Sequence, residues 1–234
     1  VSADDFSGVA LLASGEKPIF RMAYGLASKE YGAPNRVDTR FNLGSINKFF
    51  TRIAIEQLAG AGKLSLDDPI AKHLPDYPNA DAAAKVTIRH LLEMTSGIGD
   101  FFGEKYAATP KNEIRNLEDY LQLFASDPLE FEPGARERYS NGGYVVLGLI
   151  VERASGQSYF DYVRDHICAP AGMTSTGHLE ADIPAPNVAS GYTLSWDFEE
   201  HPGEPRRNNV YTRPCRGSSA GGGYSTVDDL LKLV

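Results

Sequence analysis

Apolar residues first form a regular pattern in residues 6–26. Two apolar runs, GVALLA and IFRMAYGLA, flank residues 14–17, whose sequence SGEK is typical of a turn. Runs of this length on either side of a turn are typical of paired antiparallel strands. The pattern therefore predicts a β-hairpin close to the start of the chain.

A helical period begins soon afterwards. From about Ser45 to Gly60, apolar residues recur at the spacing of one helix face, namely Ile46, Phe49, Phe50, Ile53, Ala54 and Leu58. Similar patterns predict helices over residues 86–97, ending at Gly97, and over 116–126, 142–155 and 158–168. A last helix is expected to open near Ser225 or Thr226. Residues 175–217 are rich in Pro, Gly and Asn, and we expect loop there with room for one short hairpin.

A hairpin followed by a long helical block predicts an α+β fold, with an antiparallel sheet flanked by helices and a large helical insertion. We expect one domain over residues 1–234, with a sheet-side part at about 1–44 and 205–234 and a helical part at about 60–170. A two-stranded sheet is marginally stable alone, and the chain stops at Val234 inside an amphipathic pattern. We therefore expect that C-terminal strands of the sheet are absent from this chain, which leaves an exposed edge for self-association.

The net charge of the chain argues against two classes of binding partner. The 234 residues carry a formal charge of −8 at pH 7, which argues against nucleic acid and against an anionic membrane surface. The longest apolar runs, such as Tyr144 to Val151, are far shorter than the roughly 18 residues of a membrane helix, so we expect no membrane span. The N-terminal sequence VSADDF has no signal-peptide pattern, and because an exported mature chain would look the same, the compartment stays open.

The residue types that most often bind metals show no metal-site spacing. Cys168 and Cys215 do not form a Cys-x-x-Cys pair, and we interpret them as buried free thiols. None of the five histidines belongs to a His-Glu-x-x-His or comparable motif. The sequence therefore predicts neither a metal nor a cofactor.

Ser45 and Lys48 are the first candidates for chemistry. Lys48 lies on the margin of an apolar helix face. Desolvation of a charge is costly there, which suggests that the lysine amine has a chemical function. Residues i and i+3 lie on the same side of a helix, and the helix start favours developing negative charge. A partly buried lysine has a lowered pKa and can take the proton of a serine nucleophile. The structural alternative is an N-cap serine beside a lysine that extends its amine into solvent.

Tyr139 and Asn141 form a second candidate pair. They follow a turn at Pro133–Gly134 and precede two glycines and an apolar helix. In an extended segment, residues i and i+2 point the same way, so both side chains can face one cleft. A phenol close to a lysine can serve as a general base. The structural alternative is a buried tyrosine followed by a turn asparagine.

Three further matches compete with these pairs. Residues 217–221 (GSSAG) fit the Gly-x-Ser-x-Gly elbow with Ser219 as nucleophile, but Pro214 interrupts the strand that this elbow needs and no histidine follows it. A second Ser-x-x-Lys, residues 14–17, lies in the predicted hairpin turn, and a second Tyr-x-Asn, residues 77–79, lies in a proline-rich loop. None of the three is expected to be catalytic.

Three motifs in order along the chain resemble those of the serine β-lactamase family. They are Ser45-Ile46-Asn47-Lys48, Tyr139-Ser140-Asn141 and the GGGYST stretch of residues 221–226. The resemblance is closest to the class C type and to the related penicillin-binding D-alanyl-D-alanine carboxypeptidases and esterases. Residues 90–97 and 170–173 support it, so it covers nearly the whole chain. It implies the α/β sandwich of the β-lactamase/transpeptidase-like type.

The resemblance also implies a role for each motif residue. Ser45 would be the acylated nucleophile, Lys48 its proton partner and Tyr139 the group that moves a proton to the leaving group. Asn141 would bind the amide side chain of the substrate, and Gly222 and Gly223 would contact the substrate, although a flexible turn explains these glycines equally well. The backbone N–H of Ser45 would form half of the oxyanion hole. The substrate would be a β-lactam, a D-alanyl peptide or a small ester.

One family motif has no counterpart in the chain. The family's Lys-Thr-Gly or His-x-Gly strand would follow the glycine-rich stretch, whereas residues 201–203 (HPG) come too early and contain a proline that a central strand excludes. That strand also supplies an oxyanion N–H, and loss of one such donor costs about 10²–10³ in turnover in other hydrolases. We therefore expect a poor catalyst, and the alternative is a non-catalytic module that binds peptide or peptidoglycan. The resemblance is compatible with an exported, periplasmic protein.

Overall fold

Two antiparallel strands, β1 (Gly8–Ser14) and β2 (Lys17–Tyr24), form the hairpin predicted near the start of the chain. The computed structural model describes residues 6–195 and 199–233. Gly15 supplies the left-handed conformation that the tight turn needs, with φ of +56°. Apolar side chains on both faces of the hairpin are 44–64 % exposed, and they are Leu12, Ile19, Phe20 and Met22. Self-association through this part of the molecule stays a prediction.

The longer helices lie where the apolar patterns place them. A 3₁₀ turn at Gly44–Asn47 leads into α1 (Lys48–Gly60). The short helices that follow are α2 (Ile70–His73), α3 (Ala80–Lys85), α4 (Ile88–Leu92), α5 (Glu104–Ala108) and α6 (Leu117–Leu121). The last three are α7 (Asn141–Ser155), α8 (Tyr159–Val163), which continues into a π turn at Arg164–Cys168, and α9 (Val227–Leu231). The predictions for α1, α7, α8 and α9 are therefore confirmed.

Helix α7 forms the centre of the core. Residues 142–151 are all buried, because this segment is apolar around its whole circumference. Helices α1, α4, α6 and α8 pack against it. Gly148 permits close packing, since a Cβ there would lie 2.3 Å from Ser219 Oγ and 2.7 Å from Leu117 Cδ1. The core thus joins α7 to the helical block and to the glycine-rich segment.

The described strands pair in twos, and each pair is antiparallel. The pairs after the hairpin are β3 (Leu26–Ser28) with β4 (Ala33–Pro34), β5 (Phe41–Asn42) with β8 (Tyr224–Ser225), and β6 (Tyr192–Thr193) with β7 (Arg207–Asn208). The β6–β7 pair lies within the region expected to be loop with one hairpin. The β5–β8 pair positions the site, because it brings the GGGYST stretch of residues 221–226 beside the turn that carries Ser45. Helices with antiparallel strands confirm the α+β class.

Two helices are shorter than the sequence predicts. The helix expected over residues 86–97 ends at Leu92, because Met94 has φ of +59°, a left-handed conformation that does not continue a helix. The prediction that Gly97 caps this helix is therefore wrong. A glycine is needed there because a Cβ would lie 2.2 Å from the carbonyl oxygen of Phe131. The helix expected over residues 116–126 ends at Leu121 and continues as turns.

The prediction that Cys168 and Cys215 are buried free thiols is confirmed. Among the described residues, no helix combines the length and the apolar composition needed to cross a bilayer.

Candidate active site

Ser45 lies in the 3₁₀ turn that leads into α1, and its side chain is exposed. Gly44, just before it, has φ of +50°, which glycine adopts without steric cost. The N–H groups of a first helical turn have no acceptor within the helix. The turn therefore places the Ser45 hydroxyl at the positive end of a 13-residue helix.

The amine of Lys48 is the centre of the site. Its Nζ lies 2.6 Å from each of three oxygens, Tyr139 Oη, Asn141 Oδ1 and the Ala220 carbonyl, and 3.3 Å from Ser45 Oγ. The Asn141 and Ala220 oxygens can only accept hydrogen bonds, so they fix two N–H directions of the amine. The other two neighbours are hydroxyls, which both donate and accept. A proton can therefore pass between the amine and either hydroxyl.

Burial changes the acid–base behaviour of Lys48. Desolvation lowers the pKa of its amine below the ordinary value of 10.5, while the hydrogen bond and charge of Tyr139 and the charge of Asp100 act in the opposite direction. Because the effect of desolvation is the largest, the amine loses its proton more easily than an exposed lysine does. The side chain is only 7 % exposed, so the alternative of a lysine that extends into solvent is wrong.

Tyr139 reaches Ser45 from a segment 94 residues further along the chain. Its Oη donates a hydrogen bond to Ser45 Oγ over 2.6 Å. The backbone of this segment is anchored to Met94, whose carbonyl accepts from the N–H of Arg138 at 2.8 Å and whose sulfur accepts from the N–H of Ser140 at 3.4 Å. The left-handed Met94 thus helps to place Tyr139. The tyrosine is 53 % exposed, so the alternative of a buried structural tyrosine is wrong.

Asn141 is the first residue of α7, and its amide is held from both ends. Nδ2 donates to Asp100 Oδ2 over 2.7 Å, while Oδ1 accepts from Lys48. The segment that carries Asp100 can approach this closely because the next helix residue is Gly142, where a Cβ would lie 2.4 Å from the Gly99 carbonyl oxygen. The carboxylate of Asp100 accepts only, so it determines which end of the amide faces the lysine.

Side chains of α1 and its leading turn hold residues 217–223, the glycine-rich loop, against the site. Three consecutive loop carbonyls accept hydrogen bonds from these side chains. The Ser218 carbonyl accepts from Asn47 Nδ2 at 2.9 Å, and the Ser219 carbonyl accepts from Thr51 Oγ1 at 2.7 Å. The Ala220 carbonyl accepts from Lys48 Nζ at 2.6 Å. The hydroxyl of Tyr159 lies 2.7 Å from that of Thr51 and supports it from α8. One helix therefore positions both the candidate nucleophile and the loop beside it.

The two glycines predicted to contact substrate lie in different places. Gly222 lines the cavity beside Ser45 and has φ of +92°. Gly223 does not line this cavity, and a Cβ there would lie 2.3 Å from Asn47 Oδ1. Gly223 therefore permits the packing of the loop on α1. Contact of either glycine with substrate stays a prediction.

A cavity of about 280 Å³ has Ser45 in its wall. Aromatic rings from Phe101, Phe102 and Tyr120 line it, together with backbone of the glycine-rich loop. Its polar side chains are Asn42, Ser45, Asn141, Asn209, Arg213 and Ser218. The cavity can hold a small acyl group with both apolar and polar parts.

The competing motifs are structural. Ser219 is fully buried, and its Oγ donates to the Tyr144 carbonyl over 2.8 Å. Ser14 ends β1 at the hairpin turn. Tyr77 is 7 % exposed, and Asn79 Oδ1 caps α3 by accepting a hydrogen bond from a backbone N–H.

An acidic cluster lies outside the site. Oxygens of Glu180 and Asp182 and the sulfur of Cys215 lie within 4.8 Å of one another. Arg115 forms ion pairs of 2.7 Å with Glu180 and 2.5 Å with Asp182. Because this guanidinium already compensates the carboxylates, we assign no metal to the cluster.

Sequence reasoning missed several residues that build the site, namely Asp100, Asn47, Thr51 and Tyr159. Asp100 and its partner Asn141 are 41 residues apart, and Asn47 and its partner carbonyl are 171 residues apart. Such contacts leave no local pattern. The one available signal was the position of Asn47 inside the Ser-x-x-Lys motif.

The chain is similar in sequence to proteins of one known family. The sequence model of the family described as Beta-lactamase matches residues 2–234. The chain is 36 % identical over 198 residues to penicillin-binding protein 4* of Bacillus subtilis, covering 84 % of this chain and 43 % of that protein. It is 37 % identical over 186 residues to the esterase EstB of Burkholderia gladioli, covering 74 % of this chain and 47 % of that protein. The chain spans about half the length of these curated relatives.

A solved structure also has the fold of this chain. The crystal structure of a penicillin-binding protein from Bacillus halodurans superposes with a TM-score of 0.87 at 39 % identity. The match covers 97 % of this chain and 67 % of that one.

Proposed function

Because the chain belongs to the β-lactamase family and has the β-lactamase/transpeptidase-like fold, we propose that it is a serine hydrolase that forms an acyl intermediate on Ser45. Its substrate is a β-lactam, a D-alanyl peptide or a small ester. One observation carries the proposal: Tyr139 Oη lies 2.6 Å from both Ser45 Oγ and Lys48 Nζ. A nucleophile, a phenol and an amine in mutual contact are the groups that acyl transfer requires.

In the acylation step, Ser45 Oγ attacks the carbonyl carbon of the substrate, and its proton passes to Tyr139 or to the Lys48 amine. The bond to the leaving group then breaks, and Tyr139 delivers the proton to the departing nitrogen or oxygen. The backbone N–H of Ser45 and the positive end of α1 stabilise the negative charge on the carbonyl oxygen.

In the deacylation step, a water molecule attacks the acyl carbon. Its proton passes to Tyr139 and Lys48, and the bond from the acyl carbon to Ser45 Oγ breaks as this oxygen regains a proton. The products are a carboxylic acid and the free enzyme. Asn141, oriented by Asp100, holds the amide of the acyl group during both steps.

Intact-protein mass spectrometry after incubation with a fluorophosphonate or a penicillin tests the proposal. One adduct is expected on the unsubstituted chain and on Ser14→Ala, whose serine belongs to the second Ser-x-x-Lys match. Ser45→Ala should give none. Absence of an adduct from the unsubstituted chain, together with stabilisation by peptide ligands that survives Ser45→Ala, would instead favour a non-catalytic binding module.

A further inference from the structure

Arg213 is a cation in the wall of the candidate substrate cavity. Its half-buried side chain lines the same cavity as Ser45 and Asn141. An adjoining cavity of about 200 Å³ is lined by Asn42, Asn209 and Arg213 as well, so the arginine lies where the two spaces meet. A guanidinium keeps its charge at any working pH, and it therefore brings a permanent positive charge to this space.

The hydrogen-bonding capacity of Arg213 is largely unused. Nη1 donates to the hydroxyl of Tyr224, and the guanidinium carbon lies 5.8 Å from the centroid of that ring. Nε is buried and has no acceptor among the described residues. No carboxylate of the described residues forms an ion pair with this arginine, whereas its neighbour Arg216 is paired with Glu180 at 3.7 Å. A buried donor without a partner is costly unless a ligand supplies the acceptor.

The position of the cavity indicates which part of a substrate enters it. The leaving group must lie within hydrogen-bond reach of Tyr139, which protonates it. Neither Tyr139 nor Lys48 lines the cavity, although Ser45 and Asn141 do. The cavity therefore lies on the acyl side of the bond to be cleaved, and Arg213 faces the acyl group.

From these contacts we infer that Arg213 is a specificity-determining residue, which binds a carboxylate on the acyl part of the substrate. The inference rests on the proposed acylation of Ser45. A guanidinium presents two parallel N–H groups to a carboxylate, which gives direction as well as attraction. Asn209 lines the same cavity, and its amide N–H₂ is a second donor available to the other carboxylate oxygen.

Matched pairs of p-nitrophenyl esters test this inference. The mono-esters of succinate, glutarate and adipate carry a terminal carboxylate, and the butyrate, valerate and hexanoate esters have the same number of acyl carbons with a methyl group in its place. The quantity measured is the ratio of kcat/KM for the acid ester to kcat/KM for its neutral partner. In Arg213→Gln this ratio should fall roughly tenfold to a hundredfold for the chain length that reaches the guanidinium, as expected for a lost hydrogen bond to a charged group. Arg213→Lys should restore part of it.

Arg153→Gln is the matched control, because it removes the same charge near the end of α7, about 18 Å along the helix from Asn141. The ratio should be unchanged in this variant. A ratio that stays constant in Arg213→Gln for all three chain lengths would overturn the inference, as would an equal fall in Arg153→Gln. A purely structural role, in which Arg213 only supports Tyr224, would lower both rates together and leave the ratio constant.

A binding measurement separates this inference from the proposed function. In Ser45→Ala, calorimetry with the mono-anilide of glutarate and with valeranilide needs no turnover. The acid anilide should bind more tightly than the neutral one, and this difference should disappear in the Ser45→Ala, Arg213→Gln double variant. That result would support an anion site, meaning a carboxylate-binding site at Arg213, even if Ser45 forms no adduct. Equal binding of the two anilides would overturn the anion site, even if Ser45 is acylated.

Discussion

The phenol oxygen of Tyr139 lies 2.6 Å from the hydroxyl oxygen of Ser45, although 94 residues separate the two along the chain. Lys48 Nζ contacts both oxygens. Three groups that can exchange protons therefore meet at the start of α1.

Lys48→Arg should lower kcat/KM for ester hydrolysis by about 10²–10⁴, the usual contribution of a general base. A guanidinium keeps the positive charge but does not give up its proton at working pH. Stopped assays with a p-nitrophenyl ester would measure the loss. Lys17→Arg, the same change in the second Ser-x-x-Lys match, is the control and should leave turnover unaltered. A Lys48→Arg enzyme with more than a tenth of the original rate would contradict a base role for the amine.

The lowered pKa of Lys48 sets the direction of a pH effect. Because the amine becomes neutral below the ordinary lysine pKa of 10.5, kcat/KM should rise with pH and level off before that value. The unfolded chain binds this proton more tightly than the folded chain does, so the free energy of unfolding should also rise with pH in the window just below 10.5. Lys48→Met should remove this rise, which urea titrations at several pH values would measure. A slope unchanged by the substitution would count against the burial argument.

Asp100→Asn should shift the pH profile without abolishing activity. The carboxylate raises the pKa of Lys48, so its neutralisation should lower that pKa further and move the rising limb of the kcat/KM profile to lower pH. The asparagine still offers an oxygen to Asn141 Nδ2. Asp100→Ala, which offers none, should in addition lower the rate roughly tenfold, because the Asn141 amide is no longer held. Identical pH profiles for Asp100→Asn and the unsubstituted enzyme would refute the charge effect.

Thr51→Val should destabilise the fold by about 1–3 kcal/mol. The substitution keeps the shape of the fully buried side chain and removes the hydroxyl, which leaves the Ser219 carbonyl without its donor. Thr109→Val is the control: its hydroxyl donates to the Lys105 carbonyl, which retains a backbone N–H donor after the change. Urea unfolding should show a clearly larger loss for Thr51→Val, and equal losses would argue that the loop contact contributes nothing specific.

Gly223→Ala should cost about 1–3 kcal/mol, the range for overpacking a filled site. The new Cβ would lie 2.3 Å from Asn47 Oδ1, so Asn47 must move and weaken its bond to the loop. Gly177→Ala provides the comparison, because a Cβ at Gly177 would meet nothing within 4 Å. Thermal unfolding that ranks the two variants equally would show that Asn47 adapts freely.

The sequence predicted the parts of the fold that depend on local patterns. The hairpin at residues 8–24 follows from two apolar runs around one turn, and α7 follows from an apolar segment that begins with two glycines. The prediction failed at residues 93–97, because the left-handed Met94 is held by contacts with the Tyr139 segment and not by its own neighbours. No periodic pattern records such a contact.

In the candidate site, too, local motifs revealed some residues, whereas residues that depend on distant partners were missed. Ser45, Lys48 and Tyr139 were predicted from short motifs taken in order, and the structure brings them together. Asp100 and Thr51 were missed, because their importance comes from partners distant along the chain. Arg213 was missed as well, since an arginine in a loop has no sequence pattern that reveals a buried donor without a partner in a residue that lines a cavity.

The attachment of three consecutive loop carbonyls to α1 has a practical consequence for redesign. Asn209, Arg213 and Pro214 line the cavity without these attachments. Randomised libraries confined to these three positions should therefore sample acyl preferences while the proton-exchanging contact keeps its shape. Libraries that vary residues 217–223 would alter preference and reactivity at once, and screening for one trait would then select against the other.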